Sequence, residues 1–198
     1  MISTDDIQLV ILSSRGPTVA LAMWAEQFEH RREWPGCPTP EGIPVERDRI
    51  VAWWLSGPAK AGLTWLLMID DDMVPIAKTT QLVESERDIV SARCVTKNGH
   101  PAHEHHQFTA AAFKISRKAA KLMGAPWFAA VAAGDRTSCE CLRFWNRAAH
   151  VGLRPTQAGI IGHRFPVTVF PGKTILFGDE PETPALLEQR LASVRIGA

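Results

Sequence analysis

The chain has 198 residues, of which 45% are hydrophobic and 22% charged, with a formal net charge of +1. Such a composition excludes a disordered or low-complexity chain and suits one domain with a sizeable core. Near-zero charge supplies no global field for nucleic acid or membranes, so either partner would have to meet a local basic patch.

The opening residues Ser3-Thr4-Asp5-Asp6 have neither the basic start nor the apolar centre of a signal peptide. No apolar run reaches the length of a membrane span, and a cytoplasmic protein is expected. Cys37, Cys94, Cys139 and Cys141 are scattered, and Cys139-Glu140-Cys141 is not zinc-ribbon spacing, so reduced thiols are expected. Ile7 to Leu12 reads as a buried strand, broken by Ser13-Ser14-Arg15-Gly16-Pro17. Thr18 can cap a helix over 19–31, in which Leu21, Trp24, Ala25 and Phe28 share a face. The proline- and glycine-rich run from Trp34 to Pro44 predicts a loop, and Ile50 to Leu55 a helix that closes at Ser56-Gly57-Pro58.

Leu63 to Ile69 is a continuous apolar run that ends in Asp70-Asp71-Asp72, as a strand buried on both faces would. Pro75 is placed to open a helix over Ile76 to Glu84. Asp88 to Val95 predicts a strand, and Phe108 to Ile115 another, after a polar stretch containing His100, His103, His105 and His106. Ser116 caps a short helix through Met123, with Gly124 as its stop. Glu140 to His150 predicts a helix, Phe165 to Phe170 a late strand, and Thr183-Pro184 opens a terminal helix within 179–198. That last helix would dock on the body or on a second subunit as a homodimer contact. Alternating strands and helices give an α/β class with a mixed, mostly parallel sheet flanked by helices, in a single domain over 1–178.

The acidic triplet sits where open α/β sheets bind ligands, outside the carboxyl ends of the strands. Three adjacent carboxylates repel one another unless a cation or hydrogen bonds balance them. Mg²⁺ or Mn²⁺ meets that demand, since hard cations take carboxylate oxygens and bridge to phosphates. Strand alternation points Asp70 and Asp72 to one side and Asp71 away, so Asp71 is expected to matter least. The histidine-rich tract could suggest zinc, but its surroundings read as a solvated loop.

Taken together, Ile69-Asp70-Asp71-Asp72-Met73-Val74-Pro75, Glu46-Arg47-Asp48-Arg49, Pro126-Trp127-Phe128, Glu140 with Phe144 and Gly152, and Gly162-His163 resemble family-2-like glycosyltransferases of the GT-A fold. The likeness spans roughly residues 7 to 170. It implies a Rossmann-related fold and transfer of a sugar from a nucleotide-diphosphate donor, a UDP-sugar by expectation, to an acceptor hydroxyl. It implies Asp70, Asp72 and His163 as metal residues, and Ser13, Ser14, Arg15, Arg47, Asp70 and Asp72 around the nucleotide sugar. Glu140 is the expected acceptor-activating base and Asp135 its substitute, because the family's usual Asp position holds Cys141. The acceptor would be a saccharide, a protein or a nucleic acid, and a phage-encoded enzyme acting in a bacterial cytoplasm fits the resemblance.

Two other classes fit part of the pattern. Asp70-Asp71-Asp72-Met73-Val74 also matches the first motif of haloacid-dehalogenase-like phosphatases, with Asp70 as nucleophile. Cys141 in place of an Asp also suits a binding protein of the same fold without catalysis.

Overall fold

The computed structural model describes residues 2–14, 16–36, 42–57, 62–95, 108–128, 140–164, 167–170 and 173–175. Its strands are β1 (Ile7–Ser13), β2 (Arg31–Pro35), β3 (Trp65–Asp70), β4 (Met73–Pro75), β5 (Ile89–Val95), β6 (Ala112–Ser116), β7 (Thr156–His163), β8 (Val167–Phe170) and β9 (Lys173–Ile175). The helices are α1 (Val19–Ala25), α2 (Ile43–Ser56), α3 (Thr80–Glu84), α4 (Arg117–Met123) and α5 (Glu140–His150).

Seven strands form one sheet in the order β2-β1-β3-β6-β5-β7-β4, and β8 pairs with β9 separately. β2, β1, β3, β5 and β7 run one way, with β6 and β4 against them, so the sheet is mixed and mostly parallel. The central strands are apolar at consecutive positions because both faces are covered. Along β1, Ile7, Leu9 and Ile11 enter one core with Leu21, Phe28 and Leu82, while Val10 and Leu12 enter the other with Trp54, Phe113 and Phe144. One face therefore carries α1 and α3, the other α2, α4 and α5. This is the expected helix-flanked α/β sandwich.

Several local expectations change. The helix predicted over 19–31 stops at Ala25, and Arg31–Pro35 becomes an edge strand paired with β1. Its exposed charges and terminal proline are usual for an edge that must not recruit further strands. α2 starts at Ile43 rather than Ile50, with Pro44 in its first turn, where the missing N–H costs nothing. Arg117 closes its other end, donating to Trp54 O and Leu55 O while stacking 4.5 Å from the Trp54 ring. Pro75 ends the short strand β4 instead of opening a helix, and a 3-10 turn at Ala77–Thr79 precedes α3. The strand predicted from Phe108 is shorter, Ala112–Ser116.

Ser116 caps α4 as expected, accepting from Ala119 N, and Gly124 terminates it at φ +64°. One charged side chain lies deep in the sheet: Lys114 on β6 donates to Val83 O and Ser85 O at the end of α3 and sits 4.6 Å from the Trp65 ring. Among the described residues no helix is long and apolar enough to cross a membrane. The terminal helix expected within 179–198, and the tract from His100 to His106, lie outside the described residues.

Candidate functional site

The acidic triplet begins at the last residue of β3, at the same end of the sheet as the close of β1. Register brings the two together, because β1 and β3 run parallel with Leu12 opposite Asp70. The turn then reverses into β4, whose Met73 lies opposite His163 on β7. Positions separated by some ninety residues in sequence thus converge through two strand pairings.

Each aspartate has its own setting. Asp70 accepts from Arg47 Nη2 at both carboxylate oxygens, at 2.8 and 2.9 Å. The Arg47 side chain is only 2% exposed, and its Nη1 donates to Ala110 O at 2.7 Å. Asp70 also fixes the strand entry opposite, its N–H donating to Ala111 O. Arg47 was expected among the residues around the nucleotide sugar; the structure sinks it beneath Asp70. The reason is helical spacing, since Arg47, Ile50, Val51 and Trp54 occupy one buried face of α2. A guanidinium on that face needs a carboxylate and a carbonyl to offset its desolvation.

Asp71 is buried, and its Oδ2 accepts the Ser14 N–H at 2.8 Å, with Ser14 Oγ at 3.5 Å. Its own backbone N–H donates to Leu12 O, and its carbonyl accepts from Thr18 N. The side chain expected to matter least is therefore the one tied to the end of β1.

Asp72 Oδ2 lies 3.8 Å from His163 Nε2, with side-chain exposures of 25% and 10%. Burial lowers the pKa of His163 from 6.5 to about 4, so the ring is neutral at neutral pH. At 3.8 Å the two are neither hydrogen-bonded nor, with a neutral ring, ion-paired. A carboxylate oxygen facing a neutral imidazole nitrogen is a donor pair suited to Mn²⁺ and, through the carboxylate, to Mg²⁺. The backbone holds the pair in place: Arg164 N donates to Asp72 O at 2.9 Å. Behind it, Cys94 is buried, its thiol pKa pushed well up by desolvation and by Asp70 and Asp72. A thiol held protonated there is no thiolate ligand. Among the described residues no group of three or more His, Cys, Asp or Glu side chains is arranged as a metal centre.

The other predicted residues divide unevenly. Ser13 closes β1: its carbonyl accepts from Gly36 N at 2.6 Å and its Oγ from Gly16 N at 2.9 Å. A Cβ at Gly36 would come within 3.1 Å of the Ser13 and Ser14 backbone, so glycine lets β2 end against this loop. Ser14 is engaged with Asp71, as described. Arg15, Asp135 and the Glu140 side chain lie outside the described residues, although the Glu140 backbone opens α5. Cys141, at the position of the family's usual base, is 5% exposed and its Sγ accepts from Ala110 N at 3.2 Å. It is a core contact. Asp48, next to Arg47, accepts from Phe128 N at 2.7 Å and so fastens the Pro126-Trp127-Phe128 turn to α2. Its pKa is raised by burial, against the lowering effect of those backbone hydrogen bonds.

No protein-family profile matches the chain, and no curated protein matches it in sequence. Solved structures do. A197 from STIV matches with a TM-score of 0.53 at 15% identity, over 79% of this chain and 80% of that one. A glycosyltransferase involved in the glycosylation of the major capsid of PBCV-1 matches with a TM-score of 0.49 at 10% identity, over 79% of this chain and 92% of that one. Likeness at such identity concerns architecture, and the helix-flanked mixed sheet is consistent with a GT-A-like, Rossmann-related fold.

Two features of the site were missed in the sequence. β7, which delivers His163, was not expected, because Gly159 and Gly162 interrupt its apolar pattern. The Ile160-Ile161 pair was the available signal. Gly159 has φ +75°, and a Cβ there would lie 2.5 Å from Lys78 O, so glycine lets β7 pass against the 3-10 turn. The burial of Arg47 was also missed, though its spacing from Ile50 and Trp54 carried it.

Proposed function

We propose that this chain is a metal-dependent glycosyltransferase that moves a sugar from a nucleoside-diphosphate donor, a UDP-sugar, to an acceptor hydroxyl on a saccharide, protein or nucleic acid. The observation that carries the reading is the meeting of Asp72 with His163, a neutral imidazole, at the ligand-binding end of the sheet. Asp72 and His163 would hold the Mn²⁺ or Mg²⁺. Bound there, the ion would stabilise the charge of the departing diphosphate.

The chain's own residues then have distinct tasks. Asp70, 26% exposed and oriented by Arg47, would accept from a ribose hydroxyl or a metal-bound water. Ser13 and Ser14, at the end of β1, would face the nucleoside, with Arg15 adjacent. Glu140, at the start of α5 where the helix dipole favours a carboxylate, would take the proton from the acceptor hydroxyl, with Asp135 as the other candidate. The phosphatase alternative requires Asp70 as a nucleophile. Both of its oxygens accept from Arg47, which lowers their nucleophilicity and opposes that alternative.

A thermal-shift series with UDP, GDP and the corresponding sugars, with and without Mn²⁺, tests the reading. Stabilisation by a nucleoside diphosphate plus Mn²⁺, lost in Asp72→Asn, is the expected result. The absence of stabilisation by every nucleoside diphosphate would overturn it. Mg²⁺-dependent phosphate-ester turnover abolished by Asp70→Asn would favour the phosphatase instead.

A further inference from the structure

We propose that Asp71 is a positioning residue that locks the end of β1 to the acidic turn, so that the nucleoside-binding loop and the metal-binding carboxylate are held as one unit. This rests on the nucleotide-sugar reading above. Three polar groups of this residue are committed to the end of β1 and the start of α1 that follows it. Its Oδ2 takes the Ser14 N–H at 2.8 Å, its N–H goes to Leu12 O at 3.1 Å, and its carbonyl takes the Thr18 N–H at 2.9 Å. Thr18 continues the lock: its Oγ1 donates to Met73 O at 2.7 Å and accepts from Leu21 N at 3.1 Å, capping α1. The connection from β1 to α1 is thus fastened on either side of Asp72, at Asp71 and at Met73.

The carboxylate is a costly group to bury for a structural hydrogen bond alone, since it is 7% exposed and must be compensated by its donors. What it provides is a charge-assisted bond to a backbone N–H, stronger and more directional than a neutral one. Ser14 is displaced if that bond is lost, whereas Asp72 is still held by its own strand pairing through Met73 and His163 and by Arg164 N. Loss of the Asp71 side chain therefore loosens the nucleoside side of the site and leaves the metal side in place.

The test compares Asp71→Ala with Asp71→Asn, whose amide oxygen can still accept from Ser14 N–H. In Asp71→Ala the Kd for UDP and the KM for the UDP-sugar are expected to rise about tenfold, with kcat within about threefold and Mn²⁺ affinity unchanged. Asp71→Asn, whose neutral amide makes the weaker bond, is expected to recover part of the loss. A fall in kcat at unchanged KM in Asp71→Ala, or equal damage from both variants, would overturn the proposal, because a general loss of folded protein behaves in that way. Amide hydrogen exchange on the ligand-free protein separates this inference from the functional reading. In Asp71→Ala, Ser14 should exchange at least about tenfold faster, while Thr18, held by the Asp71 backbone carbonyl, and Leu9 to Leu12 keep their protection. Unchanged exchange at Ser14 would refute the lock. A failure of wild-type protein to bind UDP, with the exchange result intact, would refute the nucleotide reading and the linkage to it.

Discussion

The three aspartates should fail in three different ways when substituted, and Asp70→Asn is the sharpest case. The Arg47 side chain is 2% exposed and shares both oxygens of Asp70 at 2.8 and 2.9 Å. Removing the carboxylate charge leaves a guanidinium inside the protein with Ala110 O as its remaining strong acceptor among these contacts. Breaking a buried pair by deleting one partner costs about 3–5 kcal/mol. Asp70 is 26% exposed, and water reaching its side of the pair places the expected loss at the lower end, about 3 kcal/mol. Replacing both partners, as in Asp70→Asn with Arg47→Met, removes the stranded charge and should recover part of that loss.

Asp72→Asn, by contrast, removes a 25%-exposed carboxylate facing a neutral ring and should change stability by less than about 1 kcal/mol. Its effect should fall on Mn²⁺ affinity. Urea unfolding followed by tryptophan fluorescence gives the stabilities, and calorimetry with Mn²⁺ and UDP gives the affinity. Should Asp72→Asn prove as destabilising as Asp70→Asn, or the double variant lose the sum of the two single losses, the assignment of Asp70 to Arg47 is wrong.

Other perturbations follow from the same geometry. The folded-state pKa of His163 is depressed from 6.5 to about 4, so protons favour the unfolded chain as pH falls through that window. Between pH 7 and pH 4.5, wild type should lose about 2–3 kcal/mol more than His163→Gln in urea titrations, and equal losses would show a freely titrating ring. Gly159→Ala places a methyl group 2.5 Å from Lys78 O at φ +75°. It should cost about 2 kcal/mol and weaken Mn²⁺ binding by displacing β7, whereas an undisturbed melting temperature would rule out the close approach. Lys114 has its pKa lowered by burial to about 8, so the unfolded chain takes up its proton between that value and 10.5. Wild type should accordingly gain up to about 2 kcal/mol relative to Lys114→Met on raising the pH from 7 to 9.5, and parallel pH profiles would contradict this.

The fold class was legible because the central strands are continuous apolar runs and their crossovers carry helical patterns with recognisable ends. Ser116 and Gly124 bracket α4 as their chemistry requires. Legibility was lost where tertiary contact overrides local pattern. Arg31–Pro35 is charged and bears a proline, yet pairs with β1 because the sheet has an open edge there. β7 is interrupted by glycines that packing against Lys78 demands, so the residues that break its strand pattern are the ones its environment selects.

At the site, the acidic end of β3 could be read from the sequence, but strand alternation stops at Asp70, because Asp71 and Asp72 lie in the turn that follows, and the partners of the aspartates could not be read. The triplet posed a problem of mutual repulsion, and a single cation was the simplest remedy on the sequence alone. The structure distributes the remedy. Asp70 is neutralised by Arg47 from α2, and Asp71 is satisfied by Ser14 N–H at the end of β1. Asp72 faces His163, whose neutral ring offers a lone pair rather than a charge. Of these settings the last suits a metal-ligand pair, because a carboxylate oxygen and a neutral imidazole can each offer a lone pair to a cation. On the proposed reading, Asp72 is the ligand position and Asp70 and Asp71 support it, so the metal test belongs at Asp72.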